Sequence, residues 1–427
     1  MRSAIATLLA ATLLLADPPP AAALPSRIAG EPGDWRLLVD GKPFELRGVG
    51  CARHLGRLNS DYLKMAVELG ANTVRTWGAR HTGSDYLDAA QQRGIQVNAG
   101  LWLPYAKRRD DGSLHFDYRD ADARAKLREK TLDYVRRHRQ HPAILMWTVG
   151  NEVIHHSPDE AQRRAFSAFL QELVEAIREI DPAHPIGYAT AGWKHLDHLQ
   201  AVPGLDFIGV NAYGNLLNVR DEMQRLGDAR PLLFTELGPL RESDQGRDRF
   251  GQPKAPPDER KSRDYRRRLA ELEELGGHAL GAFVFRLGDP KPDDLHWWNL
   301  TIGERPRDAF YAVREIYTGK LAENSPPRCR ALKIHKARLA AGDTLRFAID
   351  ARDPEGDGMH YTASLWPLGE RDETRAVDLL NPQAHGSEAM FEMPTPGEAG
   401  DYLLLTAAID RAGNACLGRG TIRLTDQ

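Results

Sequence analysis

The sequence lacks any stripe of one charge sign. Its 57 Lys and Arg residues are interspersed with 60 Asp and Glu, for a formal net charge of −3. No electrostatic partner is implied by that balance, and nucleic acid is not expected as one. Beyond residue 25 no apolar run approaches the ~20 residues that a bilayer-spanning helix needs. A Gly-x-Gly-x-x-Gly fingerprint is also missing, which argues against an open doubly wound sheet of the dinucleotide-binding kind. Cysteine is scarce, with three in the chain, enough for a single bridge. Hydrophobic residues are not scarce: at 41% of 427 residues they suffice for a large core, and the length allows two or three domains.

Residues 1–25 read as an export signal, with Arg2 as the charged start, an apolar stretch from Ile5 to Ala16, and small residues Ala21 to Ala23 for cleavage. Pro18-Pro-Pro20 and the shortness of the stretch disfavour a membrane anchor. A mature chain beginning near Leu24, secreted or periplasmic and with no membrane span after cleavage, is the expectation. Export permits disulfides. Cys329 and Cys416 lie near the two ends of the last hundred residues, where the first and last strands of a sandwich would run side by side, so a bridge is expected, the alternative being two buried thiols. Cys51 follows the first predicted barrel strand, has no adjacent His, and reads as a packing residue rather than a nucleophile.

From about residue 40 to 320 short apolar strands alternate with amphipathic helices. Strands are predicted at Phe44 to Val49, Asn72 to Trp77, Ile95 to Trp102, Ile144 to Val149, Ile186 to Thr190, Phe207 to Ala212, Leu232 to Thr235 and Ala282 to Leu287. Helices are predicted at Asp61 to Leu69, Ala121 to Arg139, Ala161 to Ile180, Arg263 to Leu275 and Pro306 to Tyr317. Ser157-Pro-Asp-Glu160 is the expected start of the third of these, with Ser157 as N-cap and Glu160 at N3. Eight such units fit a closed α/β barrel, a (β/α)8 TIM barrel over 26–321. Ala322 to Arg328 reads as a linker, and 328–427 alternates as an all-β sandwich like those of immunoglobulin or cadherin domains. Its acidic turns, Asp353 to Asp357 and Asp410 to Asn414, are explained by turn chemistry, with calcium as the lesser reading.

Barrels of this kind build their sites at the C-terminal ends of their strands. Met146-Trp-Thr-Val-Gly-Asn-Glu-Val153 delivers Glu152 to such an end, and Pro231-Leu-Leu-Phe-Thr-Glu-Leu-Gly238 delivers Glu236 to another. A lone strand-end Glu is as readily a surface ion-pair partner. Two of them, with Arg75, Trp77, Trp102, Asn151, Asn211 and Tyr213 also at strand ends, can converge on one pocket.

Arg75, Asn151-Glu152, Tyr213 and Glu236 in this order resemble the catalytic set of the clan A retaining glycoside hydrolases. Gly48-Val-Gly50, Asn72-Thr-Val-Arg-Thr-Trp77, Trp147-Thr-Val-Gly-Asn-Glu152 and Thr235-Glu-Leu-Gly238 look most like the barrel domain of glycoside hydrolase family two. A weaker likeness is to β-1,3-glucanosyltransferases. The resemblance covers roughly residues 40–320. It implies Glu236 as nucleophile, ionised beside Arg75 and hydrogen-bonded by Tyr213, and Glu152 as acid/base, with the Asn151 amide on the sugar 2-hydroxyl. It calls for no metal and no cofactor. Because the domains that precede the barrel in large family-two enzymes are not expected here, substrate does not carry over and a more open cleft is anticipated.

Sugar rings stack their C–H faces on indoles, so Trp77, Trp102, Trp193, Trp297 and Trp298, at strand ends or in following loops, are candidate platforms, with barrel packing as the plain alternative for each. Trp147, inside a strand, is expected in the core. His155-His156 with His195 and His198 bring a metal to mind, but no carboxylate or Cys completes a set. Arg266-Arg-Arg268 reads as a solvated helix face. The expectation is a retaining β-glycosidase acting on an oligo- or polysaccharide, a β-linked glucan or similar. The alternatives are a glucanosyltransferase and a glycan-binding protein without turnover. The oligomeric state is not legible.

Overall fold

The computed structural model describes residues 24–426 except 54, 56–59, 79–81, 255, 289–294, 369–376, 381–383 and 386–387. The expected export signal therefore lies almost wholly outside the described residues. The described chain opens with an antiparallel sheet not anticipated above, β1 (Ser26–Ala29), β2 (Arg36–Val39) and β3 (Lys42–Pro43). Its second hairpin turns through Asp40 (φ 48°) and Gly41 (φ 74°), both left-handed, as a two-residue turn between twisted strands requires. The sheet closes the bottom of the barrel: the Ser26 N–H donates to Ala183 O (3.0 Å), and Leu37 packs with Leu145, Met146, Phe207 and Phe283.

The barrel strands are β4 (Leu46–Cys51), β5 (Thr73–Arg75), β6 (Gln96–Leu101), β7 (Ile144–Asn151), β8 (Ile186–Ala191), β9 (Phe207–Ala212), β10 (Leu232–Leu237) and β11 (Ala279–Leu287). They pair in parallel, each with the next, and β11 closes on β4. Every residue of β7, β9 and β10 is buried, the mark of parallel strands covered on both faces. Around them run α1 (Tyr62–Leu69), α2 (Ser84–Gln92), α3 (Ala121–His138), α4 (Glu160–Ile180), α5 (Leu217–Leu226), α6 (Asp258–Leu275), the short α7 (Leu295–Trp298) and α8 (Asp308–Thr318). No described helix is long and apolar enough to cross a membrane. The α4 cap differs from expectation. Asp159, not Ser157, receives the Gln162 N–H (2.9 Å), while the buried Ser157 hydroxyl turns back to Val153 O (2.9 Å).

A small hairpin, β12 (Thr301–Ile302) and β13 (Arg305–Pro306), precedes α8. Two sheets then face each other: β14 (Arg328–Ile334), β16 (Thr344–Arg352), β20 (Glu388–Pro394) and β19 (Ala384–His385) against β15 (Arg338–Ala340), β22 (Ala415–Thr425), β21 (Gly400–Ile409), β17 (His360–Pro367) and β18 (Val377–Leu380). Cys329 and Cys416 are disulfide-bonded, with Cα atoms 5.6 Å apart. Their strands lie in opposite sheets rather than side by side, so the bond staples the sandwich through its core. The acidic turns serve themselves: Asp410 accepts from the Asn414 backbone and side-chain N–H groups (2.8 Å each), and Asp353 accepts from the Asp357 N–H (2.8 Å). Asn414 also receives the Tyr311 hydroxyl of α8 (2.6 Å), and Phe250, in the loop after β10, packs against the sandwich core. The sandwich thus braces the barrel on two elements.

The bridge closes a loop with a sequence separation of 87, worth roughly 4 kcal/mol in the chain-entropy model. Cys329→Ser with Cys416→Ser should lower the melting temperature of the sandwich in calorimetry, and the unreduced, denatured wild type should titrate one thiol, from Cys51. Three titrated thiols would contradict the bridge.

Candidate active site

At the C-terminal mouth of the barrel the chain bends sharply after β7. Gly150 (φ 82°) and Glu152 (φ 54°) are both left-handed, and for a glutamate this costs on the order of 1 kcal/mol. The bend is held by the Glu152 N–H on Ala189 O (2.8 Å) and the His156 N–H on Glu152 O (3.1 Å). It turns the Glu152 carboxyl inward.

The centre of the site is Arg75, 1% exposed. Its Nη1 donates to Glu236 Oε1 (2.9 Å), Thr235 O (2.7 Å) and Asn211 Oδ1 (3.2 Å), and its Nη2 donates to Asn151 Oδ1 (2.7 Å). Glu236 takes two further donors, Trp77 Nε1 on Oε1 (2.7 Å) and the Tyr213 hydroxyl on Oε2 (2.5 Å). Asn211 joins the two carboxylates: its Nδ2 donates to Glu152 Oε1 (2.7 Å) and Asn151 Oδ1 (3.1 Å). Gly238 leaves room over this group, since a Cβ there would stand 3.2 Å from the Tyr213 ring and 3.3 Å from Trp298.

Burial pushes the Glu236 carboxyl above its ordinary range; Arg75 opposes this, the Glu152 charge adds to it, and the Tyr213 and Trp77 hydrogen bonds oppose it. Three donors on its two oxygens favour the ionised form and orient it. Burial also pushes Glu152 up, but His156 and Asn211 hydrogen bonds with the charges of His156 and His155 bring it below the ordinary range. Its Oε2, 3.6 Å from His156 Nε2, is the less engaged oxygen. Burial and the Glu236 charge raise the Tyr213 phenol far above its ordinary range, so it remains a donor.

The structure brings Arg75, Asn151, Glu152, Tyr213, Glu236 and Trp77 together. Trp77 is half-buried, bound into the site through its N–H on Glu236, and packs edge-on to Phe285 (5.6 Å). Trp102 and Trp193 are 44% and 42% exposed and offer open faces. Trp297 and Trp298 do not serve as platforms: at 1% and 5% exposure they are buried. Their N–H groups donate to Leu240 O and Pro239 O (3.0 Å each), and Trp298 packs against Tyr213 (4.7 Å). Trp147 is buried, with its N–H on Asp181 (2.8 Å). Asn211, at the end of β9 and two residues before Tyr213, was placed at the pocket from strand position but given no role. Two other site residues escaped the sequence-based set. His156 lies four residues after Glu152 on the same turn. Tyr105 hydrogen-bonds Asn151 from a loop, and no local pattern marks it. Among the described residues no group of three or more His, Cys, Asp or Glu is placed to hold a metal ion.

Residues 34–238 match the family model "Glycosyl hydrolases family 2, TIM barrel domain". The barrel is similar to those of that family. A segment of 190 residues is 26% identical to the β-glucuronidase of Sus scrofa and covers 42% of this chain and 26% of that protein. The Homo sapiens β-glucuronidase is 25% identical over 192 residues, again 42% of this chain and 26% of that one. Among solved structures, a Bacteroides uniformis β-glucuronidase superposes with TM-score 0.53 at 16% identity, over 94% of this chain and 48% of that chain. A putative β-galactosidase from Bacteroides fragilis gives 0.51 at 12% identity, over 94% and 57%. These structural likenesses show the fold. The match thus spans about a quarter of the curated relatives and about half of the solved chains.

Removing one partner of a buried ion pair leaves the other charge uncompensated, at about 3 kcal/mol or more. Arg75→Met should therefore lower barrel stability by roughly that amount in urea unfolding. An unchanged midpoint would mean that Arg75 does not carry the site.

Proposed function

We propose that this protein is a retaining β-glycosidase in which Glu236 is the nucleophile and Glu152 the acid/base. The observation that carries this reading is the contrast between the two carboxyls. Glu236 is held by Arg75, Trp77 and Tyr213, so its ionised form is fixed and aimed, as attack on an anomeric carbon needs. Glu152 has one oxygen on Asn211 and the other toward His156 and the cleft, where a proton can come and go. Attack by Glu236 would form a glycosyl ester while protonated Glu152 gives its proton to the departing oxygen; Glu152 would then take a proton from the incoming water. Asn151 gives its Oδ1 to Arg75 and Asn211 and is hydrogen-bonded to Tyr105, so the second N–H of its amide is the one that would meet the sugar 2-hydroxyl. The family 2 barrel supports the same reaction class.

For the sugar we propose a β-linked glucan or related saccharide; the β-glucuronidase names of the curated relatives make a β-glucuronide the competing substrate. Burial of Trp297 and Trp298 removes two of the three acceptor platforms on which a transferase reading would rest, leaving Trp193. Export, read from residues 1–25, remains part of the proposal.

A panel of aryl β-glycosides, β-glucuronide included, tests the assignment. Glu236→Gln should abolish turnover, whereas Glu152→Ala should retain activity on substrates with good leaving groups and be rescued by azide. Wild-type rates in both variants would sink it. The pH dependence has a definite sign. Glu152 must be protonated at the start, and its neighbours hold it low, so the optimum of kcat/KM falls on the acid side of neutrality. His156→Ala removes a stabiliser of the Glu152 carboxylate and leaves burial less opposed, so the basic limb should move to higher pH; a limb that stays in place or moves down would contradict this role of His156.

A further inference from the structure

The two sides of the site differ. Behind Glu236 the rings are closed into a core, with Phe285 5.9 Å from Tyr213 and 5.5 Å from Trp298 between centroids. On the Glu152 side rings continue outward in a row. Trp102 lies 5.1 Å from Tyr105, Tyr105 4.2 Å from His156, His156 5.0 Å from His155, His155 5.9 Å from His195, and His195 6.1 Å from His198. The row crosses the loops after three successive strands, β6, β7 and β8. It passes the acid/base at its third ring, where His156 Nε2 is 3.6 Å from Glu152 Oε2.

Core packing does not account for it. Trp102 is 44% exposed, His155 is exposed, and the other four rings are half-buried. Burial together with neighbouring positive groups, His156 for His155 and Arg163 for His195, holds these two imidazoles below their ordinary range. At neutral pH they present uncharged faces and edges.

We propose that this row of six rings is the leaving-group subsite and that it takes a saccharide of two or more sugar rings. The inference rests on Glu152 being the acid/base. The general acid must face the glycosidic oxygen, so whatever departs on that oxygen leaves across the Glu152 side. There, C–H faces of successive sugars meet aromatic and imidazole rings, and hydroxyls meet ring N–H groups. From His156 the row runs two rings one way, to Trp102, and three the other, to His198, more than a small aryl leaving group can use.

The test compares two substrates with one terminal sugar: a 4-nitrophenyl β-glycoside turned over by the wild type, and the β-linked tri- and tetrasaccharides ending in that sugar. In Trp102→Ala the ratio of oligosaccharide to aryl kcat/KM should fall about fivefold to tenfold, the worth of one stacked ring, and His155→Ala should lower it further in the double variant. Ratios unchanged in Trp102→Ala, His155→Ala and the double variant would overturn the subsite. If no substrate is turned over by the wild type, the glycosidase reading itself fails, and the row is then judged by binding. Quenching of wild-type tryptophan fluorescence by laminari- or cello-oligosaccharides that is lost in Trp102→Ala supports it, and absence of quenching in the wild type overturns it.

Discussion

The site depends on one buried cation. Arg75 ties together Asn151 on β7, Asn211 on β9 and Thr235 with Glu236 on β10. A guanidinium serves this purpose because its planar fork donates in several directions while staying charged. Burying it is costly unless its donors are matched, and here two side-chain amides, a carbonyl and a carboxylate meet its two Nη groups, while Nε has no hydrogen-bond partner. The hydrogen bonding of Glu236, the register of three strand ends and the orientation of Asn151 therefore follow from the same residue.

A second buried group holds the outer wall. Lys261 donates to Trp297 O (3.1 Å) and Asn299 O (3.0 Å). Burial, with Arg307 nearby, brings its pKa down to about 7. Asp258 is also pushed up by burial, but the charges of Arg307 and Lys261 more than offset this and hold it ionised. Pinning these carbonyls fixes α7, which seats Trp298 against Tyr213 and so steadies the hydroxyl on Glu236. That is why the paired tryptophans are wall rather than platform. The sandwich adds support from farther out, through Tyr311 on Asn414 and Phe250 on its core.

Sequence patterning located all eight barrel strands because parallel strands covered on both faces are short, apolar and separated by helices of 3.6-residue period. Glu152 and Glu236 were legible for the same reason: each ends an apolar run with a carboxylate. What escaped depended on tertiary contacts. Ser157 and Asp159 are both good caps, and only the chain's path after the Glu152 bend decides between them. Trp297 and Trp298 share a loop-like context with Trp193, yet the carbonyls held by Lys261 bury the first two. The hairpin at Asp40-Gly41 had a local signal in its turn residues that strand counting from residue 44 passed over. Tyr105 enters the site from a loop, and no periodicity marks such a position.

A retaining mechanism requires that a Glu236 carboxylate oxygen bond to the anomeric carbon. Incubating the protein with the 2-deoxy-2-fluoro β-glycosyl fluoride that matches the aryl glycoside it turns over best would slow breakdown of the glycosyl ester and let it accumulate. Peptide mass spectrometry should then find one sugar adduct, on the peptide carrying Glu236. An adduct on Glu152, or steady turnover with inversion at the anomeric carbon and no adduct, would contradict it.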